Sequence, residues 1–368
     1  MTATLPRSRR GEAAAQACAP SVRRTLRIGA IVLPLRIRPL AWTSALLALA
    51  AVLFAVSISV GDVPVPLERV LGVLLGAGEP GDAFIVGELR LPRAIVAAGA
   101  GGALGMAGAL IQNVTRNPLA SPDVLGILSG ASAGAVAAIV LGIGAAASPF
   151  AGWGLPPFAL AGGSVAAATV FLLSGNREAS SMRLILIGVG VAAVSSALTS
   201  LLMVGARVHE ASQAVVWLTG TLDGRTWSHA RPLLVALAIV PPLLLPLLHA
   251  LGALGLGDAL ARSIGVRAGA VRLAALVLAT VLAATAVAAA GPIAFVAFVA
   301  PQIMMRVIGA HAPPVIGGGV CGAVLLLGTD VATRLFLPVG LPVGIVTVAL
   351  GAPFFLALIL TRQRRFTA

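Results

Sequence analysis

The chain of 368 residues contains no lysine; all 25 of its basic side chains are arginine. A Walker A loop needs lysine to reach the β and γ phosphates of a nucleotide, so ATP hydrolysis of that kind does not reside here. Acidic residues are scarce, 12 in all. Asp62, Glu68, Glu79, Asp82, Glu88, Asp123, Glu178, Glu210, Asp223 and Asp258 fall in expected loops or at helix ends. Carriers driven by an ion gradient hold an ionisable side chain inside the membrane. Only Asp330 approaches the interior of an apolar segment, and Arg334, four residues on, is placed to pair with it on one helix face. His249 ends an apolar segment, and His209, His229 and His311 lie in connections. No histidine and carboxylate cluster has metal-ligand spacing, and no nucleophile has a base beside it. These absences weigh against an ion-coupled secondary transporter, the alternative from another class, and against a membrane enzyme. The two cysteines, Cys18 and Cys321, are far apart and imply neither a disulfide nor a metal framework.

What is present is apolar. Hydrophobic residues make up 59% of the chain, mean hydropathy is +1.04, and uncharged stretches of about 20 residues recur from Trp42 onward, each long enough to cross a bilayer core of about 30 Å. The pattern predicts an all-α polytopic membrane protein with about ten transmembrane helices, near 41–60, 93–112, 123–143, 157–174, 183–204, 231–250, 270–290, 293–309, 314–333 and 342–361. Residues 1–38 read as a basic, flexible cytoplasmic tail and residues 39–368 as one transmembrane domain.

The net charge of +13 reflects membrane topology rather than nucleic-acid binding, because arginine clusters mark loops retained in the cytoplasm. With both termini inside, 18 of the 25 arginines are cytoplasmic; the opposite orientation would reverse the rule.

The run from Gly99 to Gly105, with Gly101 and Gly105 four apart and Gly108 a turn later, reads as a close helix contact rather than a phosphate cradle. Pro92 is expected to hold Leu91 extended just before the second span. Trp217 and Trp227 lie in an expected connection, at positions suited to anchoring at the membrane interface.

An ordered set of motifs then runs through the chain: Glu88-Leu-Arg-Leu-Pro-Arg93, Gly101-Gly-Ala-Leu-Gly105, Gly108, Gln112, and Asn117-Pro-Leu-Ala-Ser-Pro-Asp-Val-Leu-Gly126. It continues with Ala261-Arg-Ser-Ile-Gly-Val266, Ala290-Gly-Pro-Ile-Ala-Phe295, Ala300-Pro301, Asp330 with Arg334, Leu341-Pro-Val-Gly-Ile-Val346 and Gly351-Ala-Pro-Phe354. Over nearly everything after the basic tail, this set resembles the FecCD-type permeases of ABC importers for iron siderophores, haem and cobalamin. The segments Val216–Trp227 and Thr115–Asp123 are most similar to the ferric-enterobactin permease subfamily.

The resemblance implies a transmembrane permease subunit of an ABC importer. Its cargo would be a ferric siderophore of catecholate, enterobactin-like type, with haem or cobalamin as the alternative within the family. It implies no cofactor and no metal site, and no catalytic residue in this chain. The implied partners are a second permease subunit, with a heterodimer favoured over a homodimer, two cytoplasmic ATPase subunits, an external siderophore-binding protein and membrane lipid. The implied location is the bacterial inner membrane.

Site residues carry over by the same resemblance. Arg90, Arg93 and Arg334 match outward-facing arginines that meet acidic residues of the binding protein; the plainer reading is that Arg90 and Arg93 snorkel at the interface and pair with Glu88. Ala261, Arg262, Ser263, Ile264, Gly265 and Val266 match the loop that forms short coupling helices in a cleft of the ATPase, with Gly265 suited to a tight turn. Asn117 and Leu119 match an inner gate, and Ser180 with Ser181 a second one; Asn117-Pro118 is also a common turn pair. Elsewhere the pathway is expected to be apolar and rich in small residues.

Overall fold

The computed structural model describes residues 24–28, 31–35, 37–61, 63–143, 154–175, 181–337 and 340–363. Ten apolar helices correspond one to one with the expected spans. They are α1 (Ile37–Ser59), α4 (Leu91–Thr115), α5 (Ile127–Val140), α6 (Pro156–Ser174), α7 (Ser181–Val204), α9 (Trp227–Gly255), α11 (Ala268–Ala290), α12 (Val296–Ile308), α13 (Val315–Phe336) and α14 (Val343–Gln363). Seven are long and apolar enough to cross a bilayer alone, while α5, α12 and the apolar part of α14 are shorter. Between them lie the short helices α2 (Leu67–Leu74), α3 (Pro80–Phe84), α8 (Val208–Leu218) and α10 (Asp258–Ser263). Within the stretch read as a tail, β1 (Arg24–Ile28) pairs antiparallel with β2 (Ile31–Leu35), in a register that sets Leu26 opposite Leu33 and Ile28 opposite Ile31.

Helix α4 is the axis of the bundle. It is buried along nearly its whole length and packs on α13, α11, α12 and α9. The glycines make this possible. A Cβ on Gly101 or Gly105 would overlap the carbonyl oxygens of Gly322 and Gly318 on α13, and one on Gly108 would overlap Ala297 on α12. Small residues on both helices therefore bring the backbones into contact. This is how membrane helices associate when lipid supplies no hydrophobic drive. The C-terminal half of α11, from Leu282 to Ala290, is buried by the same device, with alanine in place of glycine.

Helices α1, α7 and α9 expose most of their apolar surface, as helices facing lipid or another apolar partner must. Four prolines, Pro232, Pro241, Pro242 and Pro246, sit inside α9, a density that a membrane helix tolerates better than one in water.

Two local expectations fail. Leu91 is helical, with φ −62° and ψ −47°, rather than extended. The helix runs unbroken through Pro92 because Ile85–Arg90 forms a π-helical turn. Pro92 has no N–H to give, and the wider turn relieves the clash of its ring with the preceding carbonyls. Trp217 does not anchor at the interface: it is buried beside Leu128, Ala131 and Val287. The connection containing it is partly helix α8, and the loop after α8 closes against the end of α11 and the start of α14. The Gly344 N–H donates to the Gly220 carbonyl at 2.9 Å and the Thr221 N–H to the Ala290 carbonyl at 3.0 Å. The motifs at Ala290–Phe295 and Leu341–Val346 thus meet at one backbone junction.

Candidate functional site

The polar side chains gather at opposite ends of the bundle. At the end carrying the C-terminus of α1, Arg90, Arg93 and Arg334 lie around Asp330. The Asp330 carboxyl is wholly buried and accepts from both sides: Arg93 donates through Nη2 at 2.8 Å and Nε at 3.0 Å, and Arg334 through Nη2 at 2.6 Å. The expected Asp330–Arg334 pair is present, and Arg93 completes it from α4, which spacing along one helix did not reveal.

Arg334 also donates to the carbonyls of Ser57 and Val60, both at 2.9 Å, and to Ser57 Oγ at 2.6 Å. Arg90 donates to the Ile58 and Ser59 carbonyls at 2.9 Å each, and to Val63. Both guanidiniums therefore satisfy carbonyls left open at the C-terminus of α1, where positive charge also complements the helix dipole. Arg93 differs from the other two, because its Nη1 reaches outward to Asp223, a side chain 52% exposed on the loop before α9.

At the other end, α4 stops at Arg116, whose backbone is left-handed at φ 49°. Asn117 follows, and its Oδ1 accepts from the Leu119 N–H at 2.9 Å, closing a turn. Leu119 packs on the cluster formed by Phe298 and Val299, so this turn rests on α12; Phe354 and Phe355 of α14 pack on the same cluster. Ser180 lies outside the described residues; Ser181 opens α7, with its side chain outside them too.

The segment Ala261–Val266 is half helix and half turn. Helix α10 supplies Ala261, Arg262 and Ser263. Ile264 caps it, and Gly265 takes φ +84°, so that the Val266 N–H reaches back to the Ala261 carbonyl at 2.9 Å. Ala261 is buried, while Leu260 and Ile264 project outward. A Cβ at Gly265 would meet nothing within 4 Å, so the glycine answers a backbone need and not a crowded space within this chain.

Asp258, the first residue of α10, accepts from Arg272 Nη2 at 2.8 and 2.9 Å and from Arg116. Partial burial alone would raise its pKa, but the two guanidiniums hold it below the usual carboxylate value. Sequence reading left out Asp223, Asp258, Arg116 and Arg272. Their only signal was position, since each is a charge in a loop or at a helix end.

Between the two ends lies a cavity of about 570 Å³. Ser129 and Ser132 of α5, Ser196, Thr199 and Ser200 of α7, Thr219 and Asp123 contribute polar groups to a wall that is otherwise apolar, with Leu128, Leu218, Ile345 and Val348 among its residues. Hydroxyls of this kind also satisfy carbonyls of their own helix, as Thr199 does with Ser195 at 2.9 Å, which explains why apolar runs carry them unnoticed. Among the described residues no group of three or more His, Cys, Asp and Glu side chains could hold a metal ion.

A bundle of ten apolar helices, with ionic clusters at its two ends and a cavity between, defines a polytopic membrane transport protein. The chain belongs to the FecCD transport family, whose family model matches residues 49–361. It is 40% identical over 324 residues to the achromobactin transport system permease protein CbrC of Dickeya dadantii (strain 3937), covering 87% of this chain and 90% of the relative. It is 36% identical over 312 residues to the ferric enterobactin transport system permease protein FepG of Escherichia coli (strain K12), covering 83% and 91% respectively. A solved structure described as an inward-facing conformation of a metal-chelate type ABC transporter superposes with a TM-score of 0.75 at 26% identity, covering 88% of this chain and 99% of that one.

Proposed function

We propose that this chain is the permease subunit of an ABC importer that passes an iron chelate, a ferric siderophore, across the bacterial inner membrane while partner chains hydrolyse ATP. The family match over residues 49–361 carries this reading. A chain without lysine agrees with it, because the P-loop engine then belongs to other subunits. Both termini face the cytoplasm, so the Asp330 end faces outward toward an external binding protein and α10 faces the ATPase. A second permease subunit completes the pathway along the exposed faces of the bundle.

Within the siderophores we propose a catecholate as cargo. The support is the FepG relative together with the Val216–Trp227 segment. The higher identity to CbrC favours an achromobactin-type cargo as the second reading. A strain lacking this chain is expected to fail to grow on the ferric siderophore as sole iron source while still importing ferrous iron. Uptake of labelled ferric enterobactin, ferric achromobactin, haem and cobalamin by that strain separates the readings. Loss of haem or cobalamin uptake alone overturns the siderophore assignment, and an unchanged panel overturns the importer reading.

A further inference from the structure

Helix α10 packs mainly on α9 and α11, its own neighbours in sequence. Through Asp258 it also reaches across to α4. Asp258 sits in the first turn of α10, where a carboxylate complements the helix N-terminus, and it grips Arg272 of α11 with both oxygens. That grip fixes the carboxylate relative to the bundle. Among the described residues its other ion-pair partner is Arg116, the residue on which α4 ends and after which the Asn117–Leu119 turn begins.

The backbone of Arg116 makes the pairing informative. A helix that ends in the left-handed region normally places glycine or asparagine there, because a Cβ is disfavoured. Here arginine occupies the position at φ 49°, so a side chain is kept despite the conformational cost. The function visible for that side chain is its contact with Asp258. One peptide bond further on, Asn117 fixes the turn through its own hydrogen bond, and Leu119 packs on the Phe298 and Val299 cluster of α12. An ion pair, a one-residue lever and a packed side chain thus form a continuous path from α10 to α12.

We propose that the Arg116–Asp258 ion pair is the link through which movement of α10 is passed to the Asn117–Leu119 turn, making both residues positioning groups for transport. The inference rests on the permease reading above. A displacement of α10 imposed by an ATPase would pull on Arg116, and the turn would follow because no flexible segment separates them.

The test uses the full importer in proteoliposomes with its binding protein, supplied with labelled ferric enterobactin or ferric achromobactin, whichever the wild type takes up. Siderophore imported per ATP hydrolysed is the readout, since a merely structural role would lower both quantities together. Arg116→Gln and Asp258→Asn are each expected to keep binding-protein-stimulated ATPase activity and to lower the import ratio about tenfold, within the range that coupling through packed networks reaches. The double variant is expected to be no worse than Asp258→Asn alone, because Arg116→Gln removes a link that Asp258→Asn has already removed. Arg116→Lys is expected to restore most of the ratio.

A wild-type ratio in Arg116→Gln overturns the link, as does a double variant whose loss is the product of the single losses. Should Asp258→Asn fail to assemble, Arg116→Gln, whose site is a turn outside α10, still decides the matter. If the wild-type importer takes up neither siderophore, the proposed function itself has failed and the link falls with it.

Discussion

At the scale of single residues, Arg90, Arg93 and Arg334 have unequal freedom. Arg90 and Arg334 are committed to carbonyls at the end of α1, so reversing their charge would disturb the fold before it tested docking. Arg93 has one hand on buried Asp330 and the other on half-exposed Asp223. If a carboxylate of the binding protein meets Arg93, it competes with Asp223. The Asp223→Asn variant is therefore expected to associate with the binding protein several-fold faster at low salt, with the gain compressed as salt screens the contact; unchanged association rates at all salt concentrations would remove Arg93 from the docking site. Stability should hardly change, by under about 1 kcal/mol, since an exposed pair is screened. Asp330→Asn is the opposite case. Its carboxyl is fully buried between two guanidiniums, and removing one partner of such a cluster costs about 3 kcal/mol. A markedly lower thermal midpoint in detergent is the expected result, and an unchanged one would show the cluster to be energetically idle.

At the scale of elements, the sequence made the tight contact visible and left its partner open. Gly101, Gly105 and Gly108 were legible as a packing face because spacings of four and three residues repeat one helix surface. That α13 answers with Gly318 and Gly322, and α12 with Ala297, was decided by the tertiary fold. Gly102, on the same helix, is a natural control: a Cβ there would come no nearer than 3.7 Å to the Gly319 carbonyl oxygen. We expect Gly108→Ala to lower stability by about 1–3 kcal/mol through overpacking against backbone that cannot yield, and Gly102→Ala to be neutral. Thermal unfolding of the two purified variants distinguishes them. Equal midpoints would mean that α4 and α12 can separate without cost.

At the scale of the whole molecule, the Gly265 turn separates the chain's own requirements from those of an assembly. Nothing in this chain crowds the position, yet its φ of +84° disfavours any side chain. Gly265→Ala and Gly265→Trp are accordingly expected to reduce the stability of the isolated chain alike, by about 1–2 kcal/mol for the backbone alone. Only the tryptophan is expected to weaken assembly with the ATPase subunits, because only there would bulk meet a partner. Co-purification of the ATPase with each variant provides the measurement; equal recovery would place the turn outside the interface. The isolated chain is expected to show no ATPase activity, and the assembled importer to hydrolyse ATP.

The sequence by itself determined that this is a polytopic membrane protein built on ten apolar helices among its described residues, and it named the family through ordered motifs. Those properties depend on local quantities: the length of apolar runs, the positions of arginine, and short fixed spacings. It also determined one ion pair, Asp330 with Arg334, because both residues lie on one helix. Only the tertiary structure decided that Arg93 joins them from α4, that Arg90 and Arg334 cap α1, and that Asp258 holds Arg116 across 142 residues of chain. Hydrogen bonds and ion pairs between separate helices have no period in the sequence. The π-helical turn that carries the chain through Pro92 and the hydroxyls that line the cavity were hidden for a related reason: each depends on the neighbours that folding brings alongside, not on the residue type alone.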